Sequence, residues 1–188
     1  MREQIRAWKE EHRKFEKLLM LIEGELDVFR TGAQPHYPLL LDAVLYMTQY
    51  PVRFHDPKED LAWRIVVDRL PSSARLVDSL HRQHALVARS GNDLRRLGDS
   101  LMANVYLPRA QVERAARGYI DAFRIQLGME ERLMLPLAQG LLSEDDWAGL
   151  RARFQARGDA ASGTTMRRRY RALHRQIARE AGCGCATQ

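Results

Sequence analysis

Four long stretches of the chain place apolar residues at alternating steps of three and four, the rhythm of helices that bury one face. In the first, over residues 3–30, the stripe is Ile5, Trp8, His12, Phe15, Leu19 and Ile22, and Thr31-Gly32 closes it. The second runs from Tyr37 to Arg69, with interruptions expected at Pro51 and Pro57. Its stripe is Leu41, Leu45, Thr48, Val52, His55, Glu59, Trp63 and Val66. The third, Ser72 to Ala103, offers Leu76, Leu80, His84 and Val87. The fourth opens at Pro108, a suitable first-turn residue, and ends near Gln139-Gly140. It offers Val112, Tyr119, Ala122, Gln126, Glu130, Leu133 and Leu137. No alternating β-branched runs compete, and the joints are short. The pattern predicts an all-α, up-down-up-down four-helix bundle.

Beyond the bundle, Ser143-Glu144-Asp145-Asp146 has the form of a capped helix start, predicting a fifth helix over 144–157. Gly158 to Thr165 is small and polar and reads as a linker. Met166 to Glu180 is an Arg-rich amphipathic segment. The expected organisation is a bundle at 1–142, a C-terminal helical, Arg-rich extension at 143–181 and a flexible tail at 182–188.

Composition refines this picture in a few places. A chain of 188 residues, 45% of them hydrophobic, can build one domain with a real core. No stretch nears the roughly 20 apolar residues that cross a bilayer, and the charged amphipathic start is unlike a secretory signal. A cytoplasmic location is the expectation. The net charge of +6 is uneven: from residue 151 on, nine Arg face Asp159 and Glu180, a net +7, leaving −1 for residues 1–150. The basic segment suits a surface helix that packs Tyr170, Leu173 and Ile177 inward, rather than a nucleic-acid, membrane or acidic-protein contact. The two cysteines, Cys183 and Cys185, both lie near the end and cannot staple the core.

The chemistry lies in polar residues on the inward seams. His12, His55, Glu59, His84, Gln126 and Glu130 fall in phase with core residues, and no Lys or Arg shares those stripes. Burying two carboxylates near each other costs several kcal/mol unless positive charge sits between them. Each residue alone has a plain packing explanation. Donors from all four helices aimed at one interior point instead to a cation, and imidazole with carboxylate suits iron, zinc or manganese. The four-residue step from His55 to Glu59 puts both donors on one face across one turn.

At these residues the sequence resembles the hemerythrin-like (HHE cation-binding) domains. Tyr50-Pro51-Val52-Arg53-Phe54-His55-Asp56-Pro57-Lys58-Glu59-Asp60 matches that family's second-helix motif, and Met129 to Pro136 its fourth-helix motif. Glu11-His12 and Gln83-His84 fit the remaining positions, so the resemblance spans about residues 1–140. It implies two irons bridged by Glu59 and Glu130, with His12 and His55 on one and His84 on the other. Glu130 is preferred to Glu131 because it keeps phase with Tyr119, Gln126 and Leu133, which leaves Glu131 facing outward. The sequence departs from the family at Gln126, where a histidine is usual, and at Asp56, also usually histidine. Gln126 is then a weaker amide donor or a neighbour of the ligands. His81 reads first as a boundary or surface histidine, with reach to the site as its other reading. Asp56 is a ligand, an acceptor that orients His55, or the start of the post-proline turn. Fewer metals, or manganese or zinc, remain open.

Functionally this predicts a protein that binds or senses oxygen, nitric oxide or iron rather than an enzyme, since no separate substrate motif is visible. Two other readings stay open: an interaction module with a degenerate metal site, and a di-iron oxidase or peroxidase-type enzyme. Expected partners are metal ions and a small diatomic ligand, with a homodimer open, membrane insertion excluded and nucleic acid not favoured. His36 and His174 read as a loop residue and a solvated tail residue.

Overall fold

A computed structural model describes the backbone over residues 2–159 and 161–180, with side chains over 3–154 and 168–180. Cys183 and Cys185 lie outside the described residues. The described chain is all-helical: α1 (Arg2–Arg30), α2 (Tyr37–Tyr50), α3 (Asp56–Arg69), α4 (Ala74–Met102), α5 (Arg109–Met129), α6 (Leu135–Leu141), α7 (Glu144–Asp159) and α8 (Ala161–Glu180). Four antiparallel rods make the bundle: α1, α2 continued by α3, α4, and α5 continued by α6. Around the bundle α1 packs on α2 and α5, and α4 packs on α2 and α5.

The rod ends follow local chemistry. Gly32 takes a positive φ of 87° just past α1, a conformation that suits a residue without Cβ. His36, expected as a plain loop residue, caps α2: its Nδ1 accepts from the Leu39 backbone N–H at 3.1 Å. Ser143 and Asp146 form a reciprocal box at the start of α7, with the Asp146 N–H donating to Ser143 Oγ and the Ser143 N–H donating to Asp146 Oδ2.

The expected breaks at Pro51 and Pro57 are not breaks. The second rod runs on through a π turn at Pro51–His55, and Pro57 lies in the first turn of α3, where a missing N–H costs nothing. A second π turn, Glu130–Met134, joins α5 to α6. Each π turn carries one more residue than an α turn and shifts the seam. Val52 and Leu133, expected inside, are therefore 41% and 45% exposed, while Pro51 and Met134 are buried. The remaining stripe residues are buried or half-buried. The expected linker over Gly158–Thr165 is also corrected, since α7 reaches Asp159 and α8 starts at Ala161. Gly, Ser and Thr cost a helix roughly 1 kcal/mol each or less, which the packing of Tyr170 and Ile177 farther along α8 can offset.

The core has two apolar layers. One contains Phe15, Leu19, Met47, Val87 and Phe123, and α8 adds Tyr170 and Ile177 to it. The other contains Trp8, Trp63, Leu80 and Met134, and α7 adds Trp147 and Leu150. His174 is not fully solvated: its ring lies 5.4 Å from that of Tyr46, and burial lowers its pKa. On every rod the chain passes from one layer to the other across a polar residue: His12 between Trp8 and Phe15, and His84 between Leu80 and Val87. No helix among the described residues is long and apolar enough to cross a membrane.

Candidate metal centre

The polar layer between the two apolar ones is compact. Ligating atoms of His12, His55, Glu59 and Glu130, all four residues buried, lie within 4.8 Å of one another. His12 Nε2 is 2.9 Å from His55 Nε2, and 3.5 Å from both Glu59 Oε1 and Glu130 Oε2. His55 Nε2 is also 3.5 Å from Glu59 Oε1. The π turns set this convergence, because His55 ends the first and Glu130 begins the second. A π turn re-aims a side chain without ending the helix, and such turns recur at functional sites.

The outer nitrogens decide the protonation of the inner ones. His55 Nδ1 lies 2.8 Å from Glu11 Oε2, and His12 Nδ1 lies 3.1 Å from Glu131 Oε1. A carboxylate accepts, so each Nδ1 carries the proton and donates it. In neutral rings both Nε2 atoms then present lone pairs, and they face each other at 2.9 Å. Two acceptors at that distance repel unless a proton or a metal ion lies between them.

The carboxylates make the same demand. Both oxygens of Glu59, and Oε2 of Glu130, are buried without a hydrogen bond. Burial and the neighbouring Glu130 push the Glu59 carboxyl well above the usual range, only partly offset by His55. Burial raises Glu130 too, but the hydrogen bond from His84 and the charges of His12 and His55 outweigh it, so its pKa is lowered. An ion bound at roughly 2.0–2.2 Å to imidazole and carboxylate sets neighbouring donors about 3.0–3.4 Å apart. The separations of 2.9 and 3.5 Å found here match that spacing. The buried oxygens without a hydrogen bond, the two Nε2 atoms held face to face by a proton or a metal ion, and this spacing all fit a cation.

His84 stands beside the four. Its Nε2 is 2.9 Å from Glu130 Oε1, which also accepts from Gln126 Nε2 at 3.1 Å. Burial lowers the His84 pKa, but the bond to Glu130 and the charges of Asp56, Glu130 and Asp60 override it and raise it to about 9. Gln126 is buried and its Oε1 has no partner. Asp56 is buried, with an unpartnered Oδ1 and a pKa raised first by burial. The phenol of Tyr119 is likewise buried without a partner, and the charge of Asp56 helps to raise its pKa. His81 is not drawn in: it is 47% exposed, with Nε2 3.3 Å from Asp60 Oδ1.

Two residues escaped the seam pattern. Glu11 holds His55 and also accepts from Tyr50 Oη at 2.9 Å. Burial raises its carboxyl, but the hydrogen bond and charge of His55, with Lys58 and Tyr50, bring it down to about 2. Glu131 faces outward only in part: its side chain is 42% exposed, yet it reaches His12. Both lie on polar flanks, and the only available signal was that each adjoins a seam residue with ligand chemistry. Phe15 closes the site, its ring edge-on to His55 at 5.1 Å between centroids.

A family model described as Hemerythrin HHE cation binding domain matches residues 3–138 of the chain. No curated protein and no solved structure matches it.

Proposed function

The chain belongs to the hemerythrin HHE cation-binding domain family, and from that premise we propose that it is a non-haem iron protein that binds or senses a small ligand at its buried centre. The observation that carries this reading is the pair of Nε2 atoms facing each other at 2.9 Å, with both Nδ1 atoms committed to carboxylates. A metal-free interaction module would still bury three carboxylate oxygens without a hydrogen bond and gain nothing from them.

In this proposal His12, His55, Glu59 and Glu130 hold one ion. His84 would hold a second ion together with Glu59 and Glu130, and Gln126 would stand beside it as a neutral donor. Iron held by these residues would supply the chemistry that binds a diatomic ligand such as dioxygen or nitric oxide. The protein's own part is positional. Glu11 and Glu131 fix the ring orientation and tautomer of the two histidines, as outer carboxylates do for metal-bound imidazoles. Phe15 and the two apolar layers keep bulk water from the site. The metal-holding unit is the bundle, residues 1–142, while α7 and α8 close its flanks.

The test is metal analysis of the purified full chain with an ultraviolet–visible spectrum taken in air and again after nitric oxide is added. The expected result is about two irons per chain, as in carboxylate-bridged bundle sites, with oxo-bridge absorption that nitric oxide changes. Protein that retains zinc or manganese in place of iron, or no metal after iron is supplied, overturns the proposal.

A further inference from the structure

Away from the metal centre, α2, α4 and α8 enclose a groove of about 670 Å³. That volume falls within the range of small-molecule sites, roughly 300–1,000 Å³. Three arginines from three elements line it: Arg53 from the first π turn, Arg95 from α4 and Arg169 from α8. Arg53 and Arg169 have no acidic partner among the described residues. Arg95 reaches Asp99 only through one terminal nitrogen at 3.6 Å, and its Nε is buried with no hydrogen bond. The one acid in the lining, Asp42, faces Gln176, whose Nε2 is 3.4 Å from Oδ2. Leu45, Leu173 and Tyr170 give the groove an apolar wall, and Gln49 adds a neutral polar group.

Asp42 in the lining, Asp99 beside Arg95 and Glu180 beside Gln176 offset part of this charge, but the exposed Arg53 and Arg169 stay without an acidic partner at the mouth of the concave site. Guanidinium pairs with carboxylate and phosphate through two parallel hydrogen bonds, and that pairing is worth most where water is partly excluded. We infer that this groove binds a small polyanion bearing phosphate or carboxylate groups, with its organic body against Leu45, Leu173 and Tyr170. The groove is separate from the cation centre and does not depend on that centre being loaded.

Isothermal titration calorimetry of the full chain with pyrophosphate, and separately with citrate, tests the assignment and distinguishes the two ligand classes. Saturable one-to-one binding of either anion is expected. The double variant Arg53→Gln/Arg169→Gln should weaken it at least about tenfold, since each change removes a charged hydrogen-bond donor. The control Arg151→Gln/Arg153→Gln removes the same charge from α7, outside the groove, and should leave binding unchanged. Asp42→Asn, which removes the opposing charge, should tighten binding several-fold, an effect that misfolding cannot produce. Absence of binding by both anions, equal weakening in the two double variants, or no tightening in Asp42→Asn would each overturn the inference.

Discussion

Glu11 and His55 come from different helices, yet a carboxylate oxygen of one lies 2.8 Å from Nδ1 of the other, and Tyr50 donates to the second oxygen of the same carboxylate. One residue thus sets the orientation of an imidazole whose other nitrogen faces the centre. Glu11→Gln should leave the fold intact and lower metal affinity roughly 10–100-fold, the usual cost of losing an outer partner of a ligating histidine. Competition against a chelator of known affinity measures this, and an unchanged constant would remove Glu11 from the account.

Glu59 and Glu131 should behave differently. Glu59 is fully buried with both oxygens unpartnered, whereas Glu131 is partly exposed and touches only the outer nitrogen of His12. Glu59→Ala should lose metal entirely. Glu131→Ala should retain it, at an affinity lowered by about tenfold. Metal content after gel filtration separates the two, and equal content would defeat the assignment of Glu59 as a ligand.

The metal-free protein should become less stable as pH rises. His84 has its folded pKa raised to about 9 from 6.5, so the folded state holds a proton that the unfolded state releases first. The stabilisation is complete below about pH 6.5 and is lost as pH rises through about 9. Glu59 is also raised and acts in the same direction, with its loss beginning at lower pH. At about 1.4 kcal/mol per pH unit the His84 contribution reaches about 3 kcal/mol at most. Guanidinium unfolding midpoints from pH 6 to 10 would show the decline, and His84→Gln should make it shallower, with His55 and Glu59 keeping the rest of the slope. A flat profile in the native sequence would contradict the linkage.

Trp147 is fully buried in α7, with its ring 5.9 Å from that of Trp8. Trp147→Ala should therefore destabilise the whole protein by about 3–5 kcal/mol. If α7 were only tethered to the bundle, the change in denaturant midpoint would correspond to less than about 1 kcal/mol.

The helices and the inward placement of His12, His55, Glu59, Gln126 and Glu130 were legible because a polar residue in phase with Trp8, Phe15 or Trp63 stands out from an otherwise apolar seam. The two π turns were not. Val52 and Leu133 continue a plain α rhythm on paper, and the extra residue shows only in backbone hydrogen bonding. Glu11 and Glu131 were hidden for another reason. They occupy the charged flank where acids are ordinary, and only the three-dimensional approach of neighbouring rods gives them a histidine to hold. The groove at Arg53 and Arg169 depends on α8 folding back onto α2, a relation that no local pattern carries.

The paired π turns have a consequence for how this chain can change. Each acts as a slipped stitch, so the segment before it and the segment after it keep separate rotational settings about a shared axis. Removing one residue from either turn would close it as a plain α turn and leave the segments on both sides in place. The bulge that aims His55 or Glu130 would be gone, and its side chain would turn away from its companions. The centre is thus tied to residue count at two places as firmly as to residue identity.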